Sequence, residues 1–137
     1  MTLFSIQLWV FWVGVRVTRL LIRVLGFART VTLLGSLPPA LGRRPADAVA
    51  ATSWARSIDR ASGRPYGGTC LDRSVFLWSL MRLHRLDGNV RIGISLDGDS
   101  IAGHAWVEVD GVVINDTPDV AESFAVFEDD PVGIAFR

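Results

Sequence analysis

Nucleophilic and general-base chemistry near neutral pH falls to few side chains here: the chain has one cysteine and two histidines. Cys70 stands in the stretch "YGGTCLDRS", residues 66–74, ahead of an apolar run. "TCLD" reads as a capping box. Thr69 is the expected N-cap, and Asp72 takes the place three residues on where Glu or Gln is usual. Cys70 then becomes the first residue of a helix. Its sulfur would lie near backbone N–H groups without intrahelical partners and near the positive end of the helix dipole, surroundings that favour a thiolate nucleophile. Gly67 and Gly68 leave the approach to the sulfur open. Most free cysteines are small buried hydrophobes, so position alone leaves both readings open and a partner base must decide.

His84, in "MRLHRL", lies about 21 Å along the same helix from Cys70 and is expected to be a solvated residue near the helix end. His104 opens "HAWVEVDGVVINDT" at a strand start. A three-residue loop Val109-Asp110-Gly111, bulged at Gly111, would pair Glu108 with Val112. Counting back, it would set Asp116 opposite His104, on the same face. Asp116 could then accept a hydrogen bond from one ring nitrogen and leave the other for Cys70. A two-residue loop would put Asp116 opposite Ala105, on the wrong face. Asp110 reads as a turn residue, Asp119 as a loop residue, and Glu108 lies nearer the turn, so Asp116 is the expected orienting acid. One cysteine and two distant histidines cannot build a zinc site of usual spacing, and no phosphate-cradling GxxxxGK[ST] loop is present.

These residues need a helix and a hairpin to hold them. "GSLPPALGRRP" (35–45) ends a first helical region at Pro38-Pro39. A second helix is predicted from about Pro45, in the first turn, to Ala61, and a third from Cys70 to about Leu86. The third is apolar nearly all round and should be the buried central helix. The period then changes to two: "NVRIGISL", a turn at "DGDS", "HAWVEV" and "VVINDT", with further strands expected at "FAVFE" and "VGIAF". Helices followed by antiparallel strands make an α+β plan.

At 137 residues, half of them hydrophobic, one compact domain is the default and the composition argues against disorder. Zero net charge points away from nucleic acid as the main partner, and a lone cysteine suits a reducing cytoplasm. The N-terminus carries its arginines (Arg16, Arg19, Arg23) after the apolar stretch, which does not suit a signal peptide. The uncharged run Thr2–Val15 is shorter than the ~20 residues a span needs. An amphipathic helix is predicted. It packs on the body of the domain, docks on a partner, or lies on a membrane surface through residues 3–27. Trp9 and Trp12 suit either of the last two.

"GTCLDRSVFLWSLMRLHRLDGNVRIGISL" followed by "AGHAWVEVDGVVIND" resembles the transglutaminase-like cysteine protease that matures lasso peptides: the lasso-peptide biosynthesis B protein, in its stand-alone C-terminal form. The resemblance covers roughly residues 45–118. It implies a transglutaminase-like, papain-like fold, with N-terminal helices and a central cysteine helix packed on an antiparallel sheet. Residues 1–37 would form the amphipathic helical segment and 45–137 the protease domain. It further implies a Cys70–His104–Asp116 triad that needs no cofactor and removes a precursor's leader peptide in the cytoplasm. A leader-binding protein in trans would deliver the substrate, and a separate lasso cyclase would take the product. Acyl transfer to an amine by the same triad, or a silent scaffold of the maturation complex, are the alternatives.

Overall fold

The computed structural model describes residues 2–42, 44–63 and 69–127. The Gly67-Gly68 approach to Cys70 and the "VGIAF" strand lie outside them. Four helices come first: α1 (Leu3–Leu25), α2 (Phe27–Gly35), α3 (Ala48–Ala61) and α4 (Cys70–Leu83). Then follow β1 (Asn89–Asp97), β2 (Ser100–Val109), β3 (Val112–Val113), a 3-10 turn at Val120–Ser123, and β4 (Ala125–Val126). The strands form an antiparallel sheet ordered β3-β2-β1-β4, so the fold is α+β.

Local chemistry sets the boundaries, and some differ from the sequence-based ones. The first helical region is two helices, parted at Gly26, whose φ of 85° no helix accommodates. α3 starts at Ala48 and not near Pro45, because Asp47 caps it: its Oδ1 accepts the Ala50 N–H at 2.9 Å. A proline ring offers no such acceptor. α4 stops at Leu83, short of Leu86, because Arg85 turns left-handed (φ 64°) and the Leu86 N–H closes back on the Met81 carbonyl.

α4 is the central helix, as its all-round apolar character predicts. Ser74, Val75, Leu77, Trp78 and Met81 are buried on several sides of it. β1 and β2 cover one side with Val90, Val107 and Val109, and α3 adds Ala55 and Ile58 to the same core. α1 enters this core too. Phe11, Val15 and Thr18 recur at helical spacing on its inward face. Phe11 meets Phe76 of α4 edge-on at 5.8 Å. Gly14 makes the approach possible: a Cβ there would sit 2.3 Å from the Phe76 ring. The outward face of α1 stays in solvent, with Leu20 61 % and Val24 72 % exposed. Among the described residues, no helix is long and apolar enough to cross a membrane.

The two faces of α1 should therefore answer mutation differently. Phe11→Ala empties a core site and is expected to cost about 3–5 kcal/mol in urea unfolding. Leu20→Ser, on the outward face, is expected to change stability by no more than about 0.5 kcal/mol.

Candidate active site

Cys70 opens α4 within the predicted capping box, and both of the box's hydrogen bonds form. The Asp72 N–H donates to Thr69 Oγ1 at 3.2 Å, and the Thr69 N–H donates to Asp72 Oδ2 at 3.0 Å. The shorter acid thus serves where Glu or Gln is usual. Asp72 is itself buried, with Arg19 of α1 4.0 Å from its carboxylate. The helix start that bears Cys70 is thereby tied to the N-terminal helix. The Cys70 side chain remains partly accessible.

His104 and Asp116 come together, though not through the predicted register. The β2–β3 turn has the two-residue loop Asp110-Gly111, both with positive φ (50° and 78°), and pairs Val109 with Val112 and Glu108 with Val113. Continued, that register would carry Asp116 to the face opposite His104. It does not continue, because β3 ends at Val113. The Ile114 N–H still donates to the Val107 carbonyl at 2.9 Å, but the Val107 N–H donates to Asn115 Oδ1 at 2.8 Å. The Asn115 side chain thus takes the place of the Ile114 carbonyl in the ladder. The chain bends there, strand parity lapses, and Asp116 swings to the imidazole.

The resulting contact is short: His104 Nε2 lies 2.5 Å from Asp116 Oδ2. A carboxylate only accepts, so Nε2 carries the proton and donates it, and the Nδ1 lone pair is left as the base. The other oxygen of Asp116 accepts the Thr117 N–H at 2.7 Å, which fixes the carboxylate's orientation. Phe124 stacks on the imidazole at 5.0 Å, and Trp106 lies beside it at 6.0 Å. Gly93, opposite His104 in the β1–β2 register, leaves room for that stack. A Cβ there would come 2.7 Å from Phe124 Cβ.

A cavity of about 240 Å³ is lined by Cys70, His104, Asn115 and Asp116, with Ala105, Asp59 and Arg73 completing it. His104 and Ala105 are consecutive on β2, so the cavity sits at the strand's edge, where β3 has peeled away. A thiol, a base with a free nitrogen and an acid that orients the base thus face one polar space, an arrangement suited to attack on a carbonyl.

Glu108 and the second histidine are engaged elsewhere. Glu108 accepts the Trp106 indole N–H at 2.9 Å and lies near Arg91. His84 is the C-cap of α4, and its half-buried ring packs against Trp54 at 4.6 Å, so it is less solvated than its position suggested. Among the described residues, no group of three or more His, Cys, Asp or Glu side chains could hold a metal ion.

Several site residues escaped the sequence reading. Ser74 is one: its hydroxyl donates to the Ala105 carbonyl and accepts from Asn115 Nδ2. Its position one helical turn after Cys70, on the same face, was the available signal. Asn115 was seen only as a strand residue beside Asp116. Asp59 of α3 reaches the cavity through the packing of α3 on α4, which leaves no mark in the sequence. Partial burial raises the Asp59 carboxyl above the ordinary aspartate range. Arg73, 3.8 Å away, opposes this, and the charge of Asp116 adds to it.

A model of the Transglutaminase-like superfamily matches residues 12–129 of the chain, from α1 to just past β4. No curated protein and no solved structure matches it.

Two outcomes test this geometry. Asn115→Leu strands the Val107 N–H and a Ser74 bond. It is expected to cost about 1–3 kcal/mol in chemical unfolding and to remove the downfield His104 Nε2–H resonance from the proton NMR spectrum. For Asp59 the folded-state value is raised, so its favourable contribution is full below the unfolded value and is lost as pH rises through the raised one. Asp59→Asn should therefore gain thermal stability over the wild type on going from acid to neutral pH, as thermal melts at both would read.

Proposed function

The chain belongs to the transglutaminase-like superfamily, and on that premise we propose that it is a cysteine peptidase removing the leader peptide from a lasso-peptide precursor. The superfamily includes cysteine peptidases. The observation that carries the reading is the His104–Asp116 hydrogen bond on the wall of the cavity that Cys70 also lines. The peptide class rests on the resemblance of residues 45–118 to the lasso-peptide B proteins.

In this reading His104 Nδ1 takes the proton of the Cys70 thiol, and the sulfur attacks the scissile carbonyl. The Cys70 backbone N–H, the first of a helix, faces the developing oxyanion. The C–N bond breaks as Nδ1–H passes its proton to the leaving amine, and an acyl-enzyme remains. Water then gives a proton to Nδ1 and attacks the thioester, which releases the leader's carboxylate and restores the thiol. Asp116 holds the imidazolium through Nε2 and makes no covalent bond. The scheme uses no cofactor. The amine released is the new N-terminus of the core peptide, which a separate cyclase would join to an acidic side chain. A leader-binding protein would bring the precursor in trans.

Hydrolysis rather than acyl transfer is the reading that the resemblance to the lasso-peptide B proteins supports, and the partly exposed His104 and Asp116 side chains (25 % and 24 %) leave the site open to water. The deciding experiment incubates the protein with a lasso precursor and its leader-binding partner and weighs the products, with and without added amine. A leader fragment ending in a free carboxylate is expected. An amide product would mean acyl transfer, and a thiol inert to iodoacetamide would mean a silent scaffold. Cys70→Ala and His104→Ala should each lower cleavage by at least about 10³-fold with the fold retained. Asp116→Asn should lower it by a smaller factor, since it orients the base without exchanging bonds. Near wild-type cleavage by either of the first two would refute the assignment.

A further inference from the structure

The outward face of α1 is apolar along the whole helix, roughly 35 Å. Ile6, Val10, Val13, Val17, Leu20 and Val24 line it and are between 45 % and 72 % exposed. A lone exposed leucine needs no explanation, but an unbroken row of this length does. Trp9, 59 % exposed, stands at the N-terminal half of the row, stacked edge-on with Trp12. They border an open apolar groove of about 210 Å³. Toward the C-terminal half, Arg16, Arg19 and Arg23 run along one edge of the row and, with Leu20, line an open depression of about 280 Å³.

Charge says what this face is built to meet. The first 46 residues hold six arginines (16, 19, 23, 29, 43 and 44) and no acid, while residues 47–137 hold eight arginines against all fourteen acids. The zero net charge of the chain therefore conceals a formal +6 and −6. A second copy seated on α1 would bring the same arginine edge to the seam, and α1 itself carries no acid to offset it. Lipid phosphates supply that counter-charge, and acyl chains take the apolar row.

We propose that α1 lies in the plane of an anionic lipid bilayer. Its outward row is sunk to the acyl boundary, Trp9 and Trp12 sit at headgroup level, and Arg16 and Arg23 rest on phosphates, while Arg19 stays against Asp72. The inward face keeps Phe11 and Val15 in the domain core, so the helix binds the surface as part of the folded domain and does not cross it. The cavity of Cys70 is lined by no residue of α1, so the surface and the candidate active site can be occupied together.

Flotation of the full chain with vesicles tests this. Wild type is expected to float with phosphatidylcholine vesicles containing phosphatidylglycerol, and at least about tenfold less with phosphatidylcholine alone or in high salt. Val13→Asp with Val17→Asp, and Arg23→Glu on its own, should each weaken binding to the anionic vesicles by about tenfold or more. Circular dichroism and the iodoacetamide rate at Cys70 should match the wild type in both. Should the double variant misfold, Arg23→Glu decides, since Arg23 is an exposed side chain outside the core. No flotation with anionic vesicles, equal flotation on neutral ones, or binding that survives Arg23→Glu overturns the proposal. So does a lipid-free dimer that the double variant dissociates, which would assign the face to a second copy.

Discussion

The Asn115 carboxamide takes a place in the β-ladder that a backbone carbonyl would otherwise hold, and the site depends on it. Its oxygen accepts the Val107 N–H, and its nitrogen donates to Ser74, whose hydroxyl in turn donates to the Ala105 carbonyl. A buried network of this kind is stable only when every member is paired, because an orphaned donor or acceptor in the interior costs more than the bond itself contributes. Here each bond also sets a position. The Ser74 link fixes α4, and so Cys70, against the β2 backbone that bears His104. The Asn115 link ends β3 and turns Asp116 inward.

Around that network the packing is apolar and tight. Trp106 is fully buried on the sheet face that carries His104, with Phe124 over the imidazole and Gly93 opposite His104 on β1. The ring is thus held by stacking on Phe124 and by Asp116 at Nε2, and Nδ1 is the nitrogen that Asp116 does not engage. Positional control of this kind matters more to a nucleophile–base pair than the strength of any single contact, since a small misplacement of the base costs orders of magnitude in rate.

α1 serves the fold in two ways. Phe11 and Val15 complete the core beside Phe76, and Arg19 lies against the buried Asp72 that closes the capping box at Cys70. The first helix therefore contacts the second residue after Cys70, and the match to the family model begins within it, at residue 12. An exposed ion pair contributes little to stability, and Arg19 is partly exposed. What the contact offers is placement, since Asp72 can accept from Thr69 only while its carboxylate stays turned toward the helix start.

The linear order of residues was enough for the α+β plan, for the cap at Thr69 and Asp72, and for naming the pair His104 and Asp116 that the structure brings into contact. These are local matters: helix caps, periodicity and turn residues act over three or four positions. The β2–β3 register was not legible. The Asp110-Gly111 pair suits the two-residue turn it forms, and strand counting from that turn sends Asp116 to the wrong face. Only a side chain bonding across the fold, Asn115 to Ser74 and Val107, breaks the count. The partnership of Ser74 with Ala105, the approach of Asp59, and the stack of Phe124 on His104 likewise join elements far apart in the chain. Which face of α1 is covered was equally undetermined, because apolar residues cover most of it outside the arginine edge, and only the packing of α3 and α4 chose Phe11 and Val15 for the inside. Sequence pattern encodes what each element prefers by itself, and tertiary packing decides which of those preferences is met.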